Sequence, residues 1–316
     1  MTIIDTLVSS VLPVALIFAV GYFVGWRGGF SQPDAASIFK FIAQIAAPAI
    51  TINIIITTDV ASLDPMLAGL YLISELLVYA AGFFVTRFWF KLGFKEALLC
   101  GFAASFANHV LFVYPITQFA FGPMMTIPVR SIITIDVIIF TLTVIILDIH
   151  QAPSAGPLRA ISGQLRNPLL LALLLGVLVV LNPFGRPPLA FIRCASFIAD
   201  AAAPCGLFAS GILLARPISR NSLKLAAVIA GLKMFVHPIL GFLVIVIAGG
   251  YAIEAARTTL MVTVAPVGVM ALTFASRYDG KTDAIALSIL WSFCLSVLLI
   301  PPVSYTHLTL PTTPYV

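Results

Sequence analysis

The sequence predicts an all-α polytopic membrane protein: ten transmembrane helices arranged as two inverted five-helix repeats. Three observations predict it. Composition comes first, with 61% of residues apolar and only 9% charged, where a soluble domain carries about 25% charged residues. With a mean hydropathy of +1.11, so few charges cannot cover a water-facing exterior, and most of the surface must face lipid. The second observation is a succession of long apolar runs, too long and too uniform for the alternating strands of a barrel, which leaves helices as the form that satisfies the backbone in lipid. The third is an internal repeat: Phe41 to Pro48 matches Phe197 to Pro204 at six of eight positions, 156 residues apart.

Cutting the chain at charges and at Gly/Pro clusters gives the ten spans in order. Span one, 6–26, has no basic region before it and no clear cleavage site, so it reads as a retained helix rather than a signal peptide. Span two, 34–58, carries Ala47-Pro48; span three, 66–90, carries Glu75; span four, 96–121, carries Asn108 and Pro115. Span five, 126–147, holds Asp136 and ends at the longest polar loop, Asp148 to Asn167. Span six, 168–183, is short, and span seven, 189–214, holds Asp200 and Pro204. Span eight, 221–249, contains Lys233 and His237; span nine, 254–276, contains Pro266; span ten is 282–303. At about 1.5 Å per residue each can cross a core of about 30 Å, span six only narrowly.

The matching segments fall in spans two and seven, one half-protein apart. Five spans per half is an odd number, so the halves enter the membrane upside down relative to one another, the arrangement of many secondary transporters. This divides the chain into a first repeat (1–147), a linker (148–167), a second repeat (168–303) and a tail (304–316) that looks like translated cloning sequence and is left out of the fold. One side collects Arg27, Lys40, Arg87, Lys91, Lys95, Arg159, Arg166, Arg216, Arg220, Lys224, Arg277 and Lys281; the other has Arg130, Arg186, Arg193 and Arg257. The positive-inside rule then puts the linker in the cytoplasm and both termini outside. The basic residues sit singly between apolar runs, which argues against a nucleic-acid partner despite a pI near 9.1. The four cysteines, Cys100, Cys194, Cys205 and Cys294, lie far apart in apolar segments, without metal-ligand spacing.

Prolines inside apolar spans remove a backbone donor and free a carbonyl, so Pro48, Pro115, Pro204 and Pro266 are expected to kink or break their helices. For each, a packing kink and a break that lines a binding site are the two readings. Asn108 lies seven residues before Pro115, on the same face if the helix is continuous; its amide either stitches helices together or bonds a substrate. Ionisable residues at membrane depth are Glu75, His109, Asp136, Asp200, Lys233 and His237. Each must face a cavity or a partner. Glu75 and Lys233 are 158 residues apart, near the repeat offset, and form a structural ion pair, stand singly facing solvent, or take part in coupling; Asp136 and Asp200 are candidate proton carriers or satisfied interhelical partners.

Taken in order, Leu12-Pro13, Gly21-Tyr22, Arg27, Ala47-Pro48, Asn108 to Pro115, Phe121-Gly122, Ala265 to Ala271, Ala275 to Tyr278, Ser292 and Pro301 resemble the auxin efflux carrier family in its bacterial branch. The resemblance implies a fold related to bile-acid symporters, in which spans four and nine are broken helices crossing at their prolines, with carboxylate substrates bound beside the crossing. Carried over, it points to Asn108, Pro115 and Pro266, with the flanking His109, Tyr114, Val267 and Gly268 completing the expected site. His109 and Tyr114 stand where the family usually has small residues, and Val267-Gly268 where it is commonly more polar. It also implies a bacterial cytoplasmic (inner) membrane location.

The function expected is a secondary carrier of small organic anions, with a proton or sodium as candidate coupling ion, the lipid bilayer as surroundings and a homodimer as candidate assembly. A half-helix N-terminus favours a carboxylate without a buried cation. The chain has no GxxxxGK[ST] for ATP, no HExxH, no paired-aspartate protease motif and no Ser/His arrangement, so neither a pump nor an intramembrane enzyme, and no cofactor, is expected. A ligand sensor without transport, or a sodium symporter of another organic anion, is the alternative.

Overall fold

A computed structural model describes residues 7–152, 154, 156–181, 187–215 and 222–305. Among them the structure is helical, with no strand longer than one isolated bridge. The chain runs through α1 (Val8–Trp26), α2 (Gln32–Thr57), α3 (Pro65–Trp89), α4 (Phe94–Ser105), α5 (His109–Phe121), α6 (Pro123–Gln151), α7 (Pro157–Gln164) and α8 (Pro168–Val180). It continues through α9 (Leu189–Leu214), α10 (Leu223–Ala248), α11 (Ile253–Thr263), α12 (Met270–Arg277) and α13 (Thr282–Tyr305). Seven of these are long and apolar enough to cross a membrane, or eight if α7 and α8, bent by 65°, count as one. Spans four and nine are each two shorter helices, α4 with α5 and α11 with α12. Arg186, Arg216, Arg220 and nearly all of the expected tail lie outside the described residues; α13 runs two residues past the expected end of span ten.

The prolines divide into two kinds. Pro48 and Pro115 do not break their helices. Each follows a five-residue π-helical stretch, Ile42–Ala46 and His109–Val113. The same device precedes Pro238, after Leu232–Val236. A π turn widens the ladder by one residue, which makes room for the proline ring and absorbs its missing donor. Pro204 follows a single turn residue, Ala201, in a helix that otherwise runs on. Pro266 alone of the four lies in a true break, between Thr263 and Met270. Span four breaks too, but at Phe106–Asn108, well before Pro115. The expectation that both spans break at their prolines is therefore corrected for span four, and Asn108 and Pro115 do not share the face of one continuous helix.

Two groups of helices pack closely. In the first, α1 lies along the second half of α9, and α8 along α2. The α1–α9 contact is made through glycines: a Cβ on Gly21 would stand 2.1 Å from Phe208 O, and one on Gly211 2.2 Å from Phe18 O. Lipid offers no hydrophobic drive for helix association, so such close approach of small residues supplies the packing. In the second group, α3 packs on α4, α10 on α13, and α12 on α4 and α13. Its interior contains nearly all the buried polar groups considered below.

Candidate functional site

The two broken spans meet at their unwound segments. Asn108 N–H donates to Pro266 O at 2.8 Å and Gly268 N–H to Phe106 O at 2.8 Å, so that Ala107 and Val267 pair as a short antiparallel bridge. Backbone stripped of helical partners at membrane depth must find others. Here the other segment provides two of them. Side chains from neighbouring helices supply more: Ser292 Oγ accepts from Val267 N at 2.9 Å, and Ser296 Oγ donates to Val264 O at 2.7 Å. The carbonyls at the end of α11, Val262 O and Thr263 O, each take a bond from Lys233 Nζ at 3.3 Å. An ammonium there also offsets the negative end of the α11 dipole. Its third donor goes to His237 Nδ1 at 2.9 Å, one turn along α10.

A cavity of about 460 Å³ ends on this crossing. At its inner end lie Asn108, His109, Asp136, Gly268 and Met270; at the other lie Asp148, Gln164, Arg166 and Arg277. The first residues of α5 and of α12 both line it, and the first N–H groups of any helix have no partner within the helix. Two half-helix N-termini thus point their partial positive charge at one volume. The Asn108 side chain is buried to 7% exposure, lines the cavity, and makes no hydrogen bond among the described residues. At the far end Asp148 accepts from Tyr278 Oη at 2.6 Å and from Gln164 Nε2 at 3.4 Å, with Arg277 Nη2 3.8 Å away. Burial and the bond to Asp148 push the Tyr278 phenol up.

Of the residues expected to bind substrate, Asn108, His109 and Gly268 line this cavity, whereas Tyr114, Pro115, Pro266 and Val267 do not. Val267 is fully buried in the bridge. The Tyr114 hydroxyl instead accepts from Arg130 Nη2 at 3.3 Å, and Arg130 lines a second cavity of about 410 Å³. Of the expected coupling residues, Glu75, Asp136 and Lys233 come together behind the crossing, each at most 1% exposed. Asp200 does not join them; it sits exposed where the first half of α9 ends. The serines of α13 were the residues least visible in the sequence as a set. Ser288, Ser292 and Ser296 recur at the four-residue spacing that puts side chains on one helix face, and all three are buried.

Residues 158–303 match the family described as "Membrane transport protein". The resemblance to a transporter family holds. A protein of Rhizobium meliloti (strain 1021) named "Putative malonate transporter" is 26% identical over 298 residues, which cover 91% of this chain and 91% of its own. An "Uncharacterized transporter" of Methanothermobacter thermautotrophicus (strain ATCC 29096 / DSM 1053 / JCM 10044 / NBRC 100330 / Delta H) is 22% identical over 296 residues, covering 92% of this chain and 95% of its own. Both similarities run nearly end to end, so they take in the crossing, the cavity and the buried cluster.

Proposed function

We propose that the chain is a secondary carrier of small carboxylates that works by alternating access, with ten spans in two inverted repeats and its linker in the cytoplasm. One observation carries the substrate class: an unpartnered amide, Asn108, and two half-helix N-termini converge on the closed end of a cavity that contains no buried cation of its own. A carboxylate is the small group that such donors favour. Arg166 and Arg277, at the cavity's other end, draw an anion toward it. The name given to the Rhizobium meliloti relative agrees with a dicarboxylate such as malonate.

Reconstituted protein should take up radiolabelled malonate saturably, with competition from other small carboxylates. Each half-helix end contributes about 1 kcal/mol toward an anion in a partly buried site, and one membrane amide about 1 kcal/mol. Malonamide, which presents no charge to the two dipoles, should therefore compete about thirtyfold more weakly. Asn108→Ala should raise KM about fivefold in protein that remains monodisperse, the equivalent of that one amide bond. Saturable malonate binding without flux would replace the carrier reading with the sensor reading. Equal competition by malonamide would remove the half-helix ends from recognition.

A further inference from the structure

Five titratable side chains are buried in one place beside the crossing: Glu75 from α3, His109 from α5, Asp136 from α6, and Lys233 and His237 from α10, none more than 3% exposed. Tyr71 and Tyr79 of α3 complete the set of titratable groups facing them, while α11 presents carbonyls and α13 serines. Lys233 has three donors and three acceptors, His237 Nδ1, Val262 O and Thr263 O, so its ammonium is fully engaged without either carboxylate. His109 Nδ1 is 2.7 Å from Ala107 O. A carbonyl can only accept, so Nδ1 carries the hydrogen, and in the neutral ring Nε2 is bare. That bare nitrogen lies 3.3 Å from Asp136 Oδ2.

The two carboxyl groups are left facing one another. Glu75 and Asp136 interact side chain to side chain, yet none of their four oxygens has a donor among the described residues. As two carboxylates they would offer each other acceptors alone, with a third acceptor, His109 Nε2, alongside. One proton on the pair supplies the missing donor, and with Lys233 charged the cluster then sums to zero. Two ionised carboxylates at this depth beside one ammonium would sum to −1, an expensive state in lipid.

We infer that Glu75 and Asp136 hold one exchangeable proton between them and that this proton travels with the substrate. The inference rests on the carrier reading. Geometry gives the route: Asp136 lines the substrate cavity, while Glu75 lies behind it and does not. When the pair releases its proton, a carboxylic O–H bond breaks at Asp136 and an O–H or N–H bond forms on water in the cavity, on the substrate carboxylate or on His109 Nε2; the pair keeps the electrons and is left doubly ionised. The proton thus leaves and returns through the volume that the substrate occupies, and whatever motion turns that volume from one side to the other carries both. Lys233 holds His237 and the end of α11, and its charge offsets that of the singly protonated pair.

The test uses the full chain in sodium-free proteoliposomes with malonate as probe, protein-free liposomes giving the baseline. Two assays are run: malonate/malonate exchange at equal pH, which needs no net proton movement, and net uptake under an imposed pH gradient, alkaline inside. Wild type should exchange, and one pH unit should raise net accumulation by up to about tenfold, the limit for one proton per substrate. An internal pH indicator should record proton influx in step with malonate. Glu75→Gln should keep exchange and lose both the accumulation and the proton influx. Wild type that exchanges but ignores the pH gradient overturns the proton inference and leaves the carrier reading standing; so does accumulation that follows an inward sodium gradient, imposed at equal pH in a parallel assay with sodium added outside. Glu75→Gln that still accumulates with the pH gradient overturns the assignment to this pair. Wild type that does not exchange removes the carrier reading, and the proton with it. Should Glu75→Gln fail to fold, the wild-type gradient and indicator measurements decide whether a proton moves, and Asp136→Asn in the same two assays decides the assignment: pH-driven accumulation that survives it overturns the pair.

Discussion

Gly268→Val is expected to reduce malonate uptake in proteoliposomes by about 100-fold or more. Gly268 is half of the crossing: its N–H bonds Phe106 O at 2.8 Å, and a Cβ built on it would stand 2.4 Å from Phe106 Cδ1 and 3.2 Å from Ala107 O. A valine must therefore push the two unwound segments apart. That overpacks a buried contact, at about 1–3 kcal/mol, and opens the two backbone bonds of the bridge, at about 1 kcal/mol each. At about 1.4 kcal/mol per decade, the total of roughly 3–5 kcal/mol accounts for the loss. Gly268→Ala should cost less than Gly268→Val, because it adds one methyl rather than a branched side chain, although the packed ring of Phe106 must still shift to admit it. Uptake by Gly268→Val within tenfold of wild type would mean that the bridge is not needed for transport.

Gly211→Leu is expected to have the largest effect on folding, leaving little or no monodisperse protein on size-exclusion chromatography in detergent. The atoms that its Cβ would meet are backbone: Phe18 O at 2.2 Å, Tyr22 N at 2.4 Å and Gly21 C at 2.8 Å. No rotamer relieves such a contact, and α1 and α9 would have to separate along the contact that joins the two halves of the chain. Small residues allow the close approach that packs helices in lipid, and a leucine removes it. Gly69→Leu on α3, where a Cβ meets nothing within 4 Å, serves as the control and should keep the wild-type elution profile. A Gly211→Leu protein with the wild-type elution profile and thermal midpoint would show that this helix contact contributes little.

Most of the long apolar runs were legible because length and hydropathy alone specify them: seven described helices, or eight with the bent pair, are long and apolar enough to cross a membrane, while spans four and nine are each two shorter helices. Hydropathy does not register a local unwinding, however. Phe106 and Ala107 are as apolar as their neighbours, and the proline that drew attention, Pro115, is accommodated by the π stretch before it. Pro266 did mark a break, because no such stretch precedes it. Asn108 was legible as an amide in an apolar run, although the reason given for it, a face shared with Pro115, does not apply. Glu75, Asp136 and Lys233 were legible one at a time as costly residues at depth. Their partners were not. Repeat spacing paired Glu75 with Lys233, whereas the structure gives the ammonium to His237 and two carbonyls, and sets Glu75 against Asp136. Asp200 looked equivalent to Asp136 in sequence, but helix rotation exposes the one and buries the other. The far end of the cavity, with Asp148, Gln164, Arg166 and Arg277, was hidden because those residues read as ordinary loop charges until folding gathered them.

If the chain works by alternating access, the cavity must be reachable from both sides of the membrane. Thr273 is exposed on the cavity wall, on the first turn of α12, whereas the bridge residues are too deeply buried to report. A Thr273→Cys variant is made in a background from which Cys100, Cys194, Cys205 and Cys294 have been removed, since all four are free thiols. The protein is labelled with a membrane-impermeant maleimide added from one side or the other, with and without malonate. Alternating access predicts labelling from both sides, in proportions that malonate shifts. Labelling confined to one side under every condition, and unmoved by malonate, would contradict it.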